Sequence, residues 1–447
     1  MKFYEKYLRK FVLYDINNKM IGGENLRLTF VCDFKLNEIQ EKIIKEIKWH
    51  CSKVYNTFNY AIREGKVDVS KIKRVNEDGG KIYKNYRDEN WHSKYLHSHT
   101  LQQIILNCIR NHKSYLALKE MYEKGNKDIK EKPQMPRYKN NGKMQITFTK
   151  QGIRIEGRTI KLSISRKMQE KFKVKSLNFL IPKRLEKLVN LESIKMIKIG
   201  NITEEKCKMY IIYEKEEKVI EDGSNIMAID LGMDNLASCT NMNNNKTLII
   251  AGERIKSKIG YINKEIARLE GIQMKTTGSK DFKNTRKINK LYEQRRNYTK
   301  TYMHKASRMI MNYAKENACS TIVIGDIKNI KQNMKNNKRF VEMPIQNLVK
   351  KIEYKAKLEG IEVEKIGEEY TSGVSSIDKE EISRKYYNKA RRIKRGLFKT
   401  NSGKIINADI NGSLNILRKY IKEMFSPDLE IAMDIGREQR PLKKRVA

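Results

Sequence analysis

Two aspartates, Asp230 and Asp409, have the residue type and the placement for metal-assisted chemistry. Asp230 is the last residue of the apolar run IMAID, and Asp409 falls in the first turn of NADINGSLNILRKYI, which has a helical pattern. Ligands of open α/β sheets gather beyond the carboxyl ends of parallel strands, and a helix N-terminus favours negative charge. Two carboxylates at one sheet edge can hold Mg²⁺, and paired Mg²⁺ ions stabilise both oxygens of a phosphodiester displacement.

Each aspartate also has an ordinary structural explanation. Asp230 could cap a strand end, and Asp409 could be a first-turn acid that stabilises its helix. Taken singly, these explanations compete evenly with a catalytic role. Taken together, these ordinary explanations are less convincing, because the two aspartates lie near the beginning and near the end of one predicted domain.

The elements that must position these acids begin near residue 224. The runs IMAIDLG, NLASCTN and TLIIAGE predict three strands, and residues 255–315 are long, basic and helical. TIVIGD predicts a fourth strand, PIQNLVKKIEYKAKLEG a helix and IEVEKIGEEY a fifth strand, and Asn407 is the expected N-cap of the closing helix. This order predicts an α/β domain with an RNase H-like fold over residues 223–423.

The N-terminal half changes its pattern twice. Residues 24–33 alternate as a strand does, and residues 37–124 have apolar positions at helical spacing. Alternation then returns in MQITFTK, IRIEGRTIKLSIS and MYIIYEKEEKVI. We therefore expect a small β-barrel over 1–36 and 136–222 with a helical module inserted over 37–135, and a tail of weak pattern over 424–447.

The charge of the chain favours a polyanionic partner. Its 94 Lys and Arg outnumber 53 Asp and Glu, and the formal net charge is +41. Neutralising many phosphates releases counterions, so nucleic acid is the first hypothesis. No stretch approaches the roughly 20 apolar residues of a membrane span, which predicts a cytoplasmic, nucleoid-associated protein with no membrane partner. The 6 cysteines have no metal-knuckle spacing and are expected to be reduced and mostly buried.

Four stretches carry a resemblance to a known family. These are MPRYKNNGKMQITFTKQGIRI, IDLGMDNLAS, YTS at residues 370–372, and RGLFKTNSGKIINADINGSLNILRK. They resemble the TnpB family of transposon-encoded, RNA-guided DNA nucleases, which is related to compact type V CRISPR effectors. The resemblance implies a wedge β-barrel, a helical recognition module and a RuvC nuclease domain. It also implies a two-metal Mg²⁺ site, with guide RNA and target double-stranded DNA as partners.

The resemblance implies a catalytic trio of Asp, Glu and Asp. Asp230 and Asp409 match the first and third acids, but Gly325 stands where the family has its glutamate. Asp326 is a poor substitute, because neighbouring residues of a strand point to opposite faces. The departure leaves a second hypothesis open, in which the chain is a nuclease-dead, RNA-guided DNA-binding protein or repressor.

The neighbouring strand offers a replacement acid. IEVEKIG should pair parallel beside TIVIGD, about 4.8 Å away, and its end carries Glu368 and Glu369. We prefer Glu368 as the third catalytic and metal-binding acid, since relatives that also lack the usual glutamate carry an acid two residues before the tyrosine of YTS. Glu369 stays open as the alternative, and both residues could instead be solvated strand-end charges.

A structural zinc is not expected. Many TnpB proteins carry paired CxxC knuckles between YTS and the NAD element, where this chain has Ser375, Ser376 and residues 401–403. Hydroxyl and amide groups do not replace thiolates on zinc, so a hairpin held by its own packing should stand there. His50, Cys51, His92, His97 and His99 match no usual zinc spacing, and we interpret the histidines as surface or RNA-contacting residues.

Contacts to nucleic acid should come from basic runs with interleaved tyrosines. KARRIKRG supplies Arg391, Arg392 and Arg395, and EQRRNYTKTYMHKASR supplies Tyr298, which could stack on bases or ribose. A third hypothesis remains beside nuclease and repressor. A transposase that joins DNA would also use two acids, and dependence on a guide RNA separates it from a guided nuclease.

Overall fold

The computed structural model describes residues 26–73, 75, 82–84, 86–87, 90–126, 129, 131–203, 206–216, 218, 225–243, 246–279, 282–326, 345–394, 396–424 and 441–446. The predicted N-terminal start of the barrel, residues 1–25, therefore lies outside the described part. Contacts divide the chain into two compact units, Asn25–Lys215 and a second one that includes Glu216–Ala447. We call them the N-terminal and the C-terminal unit.

The strands of the N-terminal unit form two antiparallel sheets. The four-stranded sheet has the order β1-β7-β6-β2, and the three-stranded sheet has the order β3-β4-β5. Their bounds are β1 Leu26–Lys35, β2 Ile146–Thr149, β3 Ile153–Glu156, β4 Thr159–Ser163, β5 Ser176–Leu180, β6 Ile194–Thr203 and β7 Lys206–Lys215. Each run predicted from alternation contains at least one strand, whereas the closed wedge barrel stays a prediction.

Helices in the same unit pack on the same core as these sheets. Their bounds are α1 Glu38–Arg63, α2 Ser98–Glu123, α3 Arg166–Phe172 and α4 Lys183–Leu188, with a 3₁₀ turn at Trp91–Tyr95. Asn37 begins α1 with a capping box, in which its side chain accepts from Gln40 N at 2.8 Å. One apolar cluster joins Phe58 of α1, Ile109 of α2 and Ile211 of β7. The helical segment and the strands therefore share one continuous core.

The sheet of the C-terminal unit has the order β12-β11-β8-β9-β10-β15. Strands β8, β11 and β12 are parallel to one another, and β9 is antiparallel to both of its neighbours. The bounds are β8 Asn225–Asp230, β9 Asn235–Asn241, β10 Leu248–Ala251, β11 Cys319–Asp326, β12 Glu362–Gly367 and β15 Leu442–Lys444. A short hairpin of β13 Leu397–Lys399 and β14 Ile405–Asn407 precedes the last helix.

Helices cover both faces of this sheet. They are α5 Glu253–Thr277, α6 Arg286–Glu316, α7 Ile345–Leu358 and α8 Ala408–Met424. Alternate residues of β8 point to opposite faces of the sheet. Met227 and Ile229 pack in the cluster that holds α6 and α7, and Ala228 packs in the cluster that holds α8. The stretch predicted as one long helix is two helices, since Gly278 ends α5 in a left-handed conformation with φ of 65°.

The tail contributes a strand that the sequence pattern did not predict. Strand β15 pairs parallel with β10, and Val446 beyond it is 2% exposed in the core. Residues 425–440 of the predicted tail lie outside the described part of the chain. Among the described residues, no helix is both long and apolar enough to cross a bilayer.

Candidate functional site

Asp230 stands at the end of β8, close under the N-terminal turns of α8. A Cβ added to Gly412 of α8 would lie 2.6 Å from Asp230 Oδ2, so the helix approaches this closely only because residue 412 is glycine. The pKa of Asp230 is raised well above its usual range, chiefly by burial and then by the negative charges of Glu368 and Asp409. The structure thus brings Glu368 and Asp409 within electrostatic reach of Asp230.

Asp409 is fixed from two sides in the first turn of α8. Asn407 caps the helix, because its Oδ1 accepts from Asp409 N at 3.0 Å and from Ile410 N at 3.1 Å. Asn235, the first residue of β9, donates through Nδ2 to Asp409 Oδ2 at 2.6 Å. Arg392 Nη2 lies 3.8 Å from Asp409 Oδ1. Sequence reasoning predicted the cap but missed Asn235.

Glu368 occupies the space that a side chain at position 325 would need. Strand β12 pairs parallel beside β11, with Gly325 opposite Ile366, so Glu368 leaves β12 at the same sheet edge. A Cβ added to Gly325 would lie 2.6 Å from Glu368 Cγ and 2.7 Å from its Cδ. The parallel pairing was predicted from the sequence and is confirmed.

The surroundings of Glu368 are unfavourable for an isolated carboxylate. Burial, followed by the charges of Asp326 and Glu369, raises the pKa of Glu368 to about 7. Its Oε1 atom is buried and has no hydrogen-bond partner within the protein. A buried carboxylate oxygen without a donor is rare, and a bound cation would satisfy it. The donor set of Asp230, Glu368 and Asp409 fits a hard divalent ion such as Mg²⁺.

Glu369 points elsewhere. Its side chain is 63% exposed, and Oε2 lies 3.2 Å from Lys419 Nζ of α8. The pKa of Glu369 is lowered by its own backbone N–H and by Lys419. Of the two glutamates that the sequence left open, the structure therefore places Glu368 beside Gly325 and Asp230, and Glu369 in solvent.

The three carboxylates are neighbours, but in this conformation their oxygens do not converge on one metal position. Within the described ranges, no three His, Cys, Asp or Glu side chains are already gathered tightly enough to hold a metal ion. Asp409 is instead hydrogen-bonded to Asn235. Coordination of one ion by all three acids would require side-chain rotation and water ligands, which are usual for Mg²⁺.

Two family models match the parts of the chain that carry the three acids, one around Asp230 and the other around Glu368 and Asp409. The OrfB_IS605 model, described as a probable transposase, matches residues 210–331, and the Cas12f1-like TNB domain model matches residues 346–416. TnpB-like protein ORF457 of Acidianus two-tailed virus is 28% identical over 207 residues, which are 44% of this chain and 42% of that protein. The chain is therefore similar to TnpB-like and Cas12f1-like proteins over the parts that these matches cover.

A solved structure shares the fold of this chain. The cryo-EM structure of the Cas12f1–sgRNA–target DNA complex has a TM-score of 0.60 and 16% identity, covering 87% of this chain and 98% of the other. The fold is thus mixed α/β and similar to that of Cas12f1. The match to ORF457 spans less than half of that relative's length.

A network of charged and amide groups stands where zinc knuckles occur in many TnpB proteins. The Glu380 carboxylate accepts from Arg391 Nη1 at 2.6 Å, from Arg391 Nη2 at 2.8 Å and from Ser375 N at 2.8 Å. Asp378 accepts from Asn401 N at 2.7 Å and from Ser402 Oγ at 3.2 Å. The two ends of the 375–402 segment are therefore joined by ion pairing and hydrogen bonds between its own residues.

This segment is also tied to α8, which carries Asp409. Asn411 donates to Val374 O at 2.8 Å and accepts from Ser376 N at 2.8 Å. Asn415 donates to Thr371 O at 2.8 Å and to Val374 O at 2.7 Å. The two asparagines lie four residues apart on one helix face, so they hold the segment that follows Glu368 against the helix that carries Asp409.

The predicted nucleic-acid contacts have different surroundings. Arg391 is engaged with Glu380 and its side chain is 12% exposed, whereas the Arg392 side chain is 42% exposed near Asp409. Arg395 lies outside the described residues. Tyr298 lines an open groove of about 560 Å³ together with Arg254, Lys258 and Tyr261.

One histidine interpretation is wrong. His50 is a core residue at 2% exposure, and burial with the neighbouring His92 lowers its pKa to about 4. Its Nδ1 lies 3.0 Å from His92 Nδ1. Its place on the apolar face of α1, three residues after Ile47, was the available signal. Cys51 beside it is buried, which raises its thiol pKa to about 12.

Proposed function

We propose that this protein is an RNA-guided DNA endonuclease associated with a transposon, and that Asp230, Glu368 and Asp409 are its catalytic acids. The observation that carries the proposal is the side chain of Glu368, which fills the space beside Gly325. The family's glutamate is thereby replaced by a carboxyl group from the neighbouring strand. The domain that holds the site, with strands first and helices on both faces, is proposed as the RNase H-like, RuvC-type nuclease domain.

The three acids would hold two Mg²⁺ ions, which activate a water nucleophile and stabilise the leaving oxygen when bound. The chain's own residues prepare the site. Asn235 holds the orientation of Asp409, and Gly412 lets α8 approach Asp230. The raised pKa values of Asp230 and Glu368 report crowded negative charge that a cation would relieve.

Guide RNA and target DNA are the proposed partners. Support comes from the family, from the formal net charge of +41 and from the fold shared with a protein solved together with sgRNA and target DNA. Base pairing would supply sequence specificity, while the protein holds the backbone of the heteroduplex. Arg392 beside Asp409 and Tyr298 in its groove are the proposed contacts to nucleic acid.

Two other functions stay in competition with the nuclease. A nuclease-dead repressor would leave Glu368 without a task, although its carboxyl group is buried next to Asp230 rather than turned to solvent. A DNA-joining transposase is suggested by the description of the matching OrfB_IS605 model. Cleavage that requires a guide RNA distinguishes the proposed nuclease from both.

The test is guided cleavage by matched glutamate variants. The protein is purified with its co-expressed RNA and assayed on a matched DNA target in Mg²⁺. We expect Glu368→Ala to lose cleavage by about a hundredfold or more, as for removal of a metal ligand, with RNA binding unchanged. Glu369→Ala, one residue away, should stay near wild type. Guide-dependent binding without cleavage by the wild-type protein would identify a repressor.

A transplanted acid makes the test more specific. In Gly325→Glu combined with Glu368→Ala, the acid returns to β11 and the space beside it is vacated. We expect this double variant to recover a large part of the cleavage that Glu368→Ala lost. A double variant as inactive as the single one, with an unchanged melting temperature, would refute the idea that the two positions serve one carboxylate site.

A further inference from the structure

The only two tryptophans of the chain lie side by side in the N-terminal unit. Trp49 is on α1 and Trp91 begins the 3₁₀ turn Trp91–Tyr95, with their ring centroids 6.5 Å apart. Trp91 is 55% exposed, although a large apolar side chain of this kind is usually mostly buried. The proposed nuclease site, in the other unit, does not account for this arrangement.

The rings around Trp91 form a preorganised surface. The His92 ring stacks on Trp91 at 4.0 Å with an interplanar angle of 29°. Tyr95 stacks on His50 at 4.4 Å and 5°, and His50 meets Trp91 edge-on at 89°. Because His50 is buried and its nitrogen lies 3.0 Å from His92, the exposed rings rest on a fixed support.

Lysines surround this aromatic surface. Lys53 Nζ lies 5.4 Å from the centre of the Trp49 ring, and Lys167 Nζ lies 5.6 Å from the centre of the Tyr95 ring. Lys94, within the 3₁₀ turn, is exposed. Glu46, the acid nearest to His50, is ion-paired with Lys171 at 2.7 Å. Among the residues that the structure describes around these rings, Lys53, Lys94 and Lys167 therefore supply positive charge.

We infer that Trp49, Trp91, His92 and Tyr95, with Lys53 and Lys94, form a binding surface for unpaired nucleotides of RNA, here named the tryptophan platform. Aromatic rings stack on bases whose faces are free, and lysines at the rim neutralise the adjoining phosphates. A base-paired duplex hides those faces. Protein-binding surfaces are depleted of lysine, so the lysine rim favours nucleic acid over a protein partner.

The inference rests on the proposed RNA partner but not on DNA cleavage. Because both tryptophans belong to the platform, tryptophan fluorescence of the full-length protein, excited beyond the absorption band of its 23 tyrosines, reports on the platform. We expect single-stranded oligouridylate to quench this fluorescence, and an oligouridylate–oligoadenylate duplex at equal phosphate concentration to quench it far less. Equal quenching by both probes would overturn the inference, since phosphate contacts alone would then explain binding.

Variants separate stacking from charge and from folding. We expect Trp91→Ala to weaken binding of labelled oligouridylate by roughly tenfold, the range of one base–aromatic stack, while Trp91→Phe retains most of it. The salt dependence should be unchanged in Trp91→Ala but reduced in Lys53→Ala. Tyr60→Ala serves as the control, because it removes a 50% exposed aromatic side chain outside the platform, from α1, the helix that carries Trp49 and Lys53.

The outcomes distinguish the platform from the function. Normal affinity of Trp91→Ala, with RNA still bound by wild type, would overturn the platform and leave the guided nuclease standing. Failure of the wild-type protein to bind any RNA would overturn both. The platform is supported if Trp91→Ala has the melting temperature of the wild-type protein and a lower affinity for RNA than Tyr60→Ala has.

Discussion

At the scale of single residues, an acid can keep its place in space while its position in the sequence changes. Parallel strands end at one sheet edge about 4.8 Å apart, so residues on two strands can reach the same point. The sequence therefore allowed Glu368 to be predicted beside Gly325. It did not predict Gly412 or Asn235, because their roles arise from close approach of α8 and β9 to the two aspartates.

Gly325→Ala tests this arrangement without touching an acid. The new Cβ would lie 2.6 Å from Glu368 Cγ, so the glutamate must move. We expect guided cleavage to fall by about a hundredfold, the usual effect of misplacing a catalytic group by about 1 Å. RNA binding and the melting temperature should change little, since Glu368 can turn toward solvent.

Gly260→Ala is the matched control for that variant. Gly260 lies within α5, and an added Cβ meets nothing within 4 Å, so alanine should be tolerated and stabilise the helix by up to about 1 kcal/mol. Its cleavage rate should equal that of wild type. Full activity of Gly325→Ala in the same assay would show that cleavage does not require the position of the Glu368 carboxylate beside residue 325.

At the scale of elements, the segment between β12 and α8 is held by ion pairing and hydrogen bonds between its own residues. The sequence predicted a hairpin in this segment, and β13 with β14 forms one. It did not predict the pairing of Glu380 with Arg391. The two residues are separated by turns of irregular structure, where no helical or strand period indicates which charges meet.

Glu380→Gln should loosen this segment and α8 together. Glutamine keeps the shape but leaves the Arg391 guanidinium, with a side chain 12% exposed, without its counter-charge. We expect a loss of about 3 kcal/mol in the free energy that protects the amides of α8 from hydrogen exchange. A zinc-selective chelator, added in the presence of saturating Mg²⁺, should leave the exchange of the wild-type protein unchanged.

Two further variants check the cause. Glu265→Gln breaks a pair with Arg268 whose side chains are 32% and 54% exposed, so it should cost under about 1 kcal/mol. Glu380→Gln combined with Arg391→Met removes both charges and should recover most of the protection. Equal losses in Glu380→Gln and Glu265→Gln would mean that the buried pair does not hold the segment.

At the scale of the whole molecule, helices and strands with a regular spacing of apolar residues could be predicted from the sequence. Elements and core positions that depend on one tertiary contact could not. Alternation and helical spacing located most strands and helices of both units, but the elements α3, α4, β5 and β6 were not predicted. The strand β15 was missed because Leu442–Lys444 is too short and too charged to show a period, and it is a strand only through pairing with β10. His50 was missed for a related reason, since a polar residue type concealed a core position.

The stability of the protein should depend on Mg²⁺. Burial raises the pKa of Asp230 and Glu368, and so do neighbouring negative charges, which are Glu368 and Asp409 for Asp230 and Asp326 and Glu369 for Glu368. The charged forms of both acids therefore oppose folding at neutral pH, and bound Mg²⁺ would relieve that cost. We expect saturating Mg²⁺ to stabilise the protein by about 2 kcal/mol, a rise of several degrees in the thermal midpoint at constant ionic strength. Differential scanning calorimetry measures it.

Asp230→Asn distinguishes the site from general ion binding. This variant should melt higher than wild type in EDTA and lose the response to Mg²⁺, whereas Glu265→Gln should keep that response. A response of wild-type size in Asp230→Asn would place the stabilising Mg²⁺ elsewhere on the protein.

The overlap between a side chain at position 325 and Glu368 also bears on how such a site evolves. While Glu368 holds this conformation, an acid at 325 and an acid at 368 exclude each other, so the fitness effect of either substitution depends on the other. Under the proposed function, a lineage that loses the first glutamate before it gains the second passes through an inactive ancestor. A comparison of relatives by aligned sequence position alone would then count a protein that had regained the proposed nuclease activity as inactive.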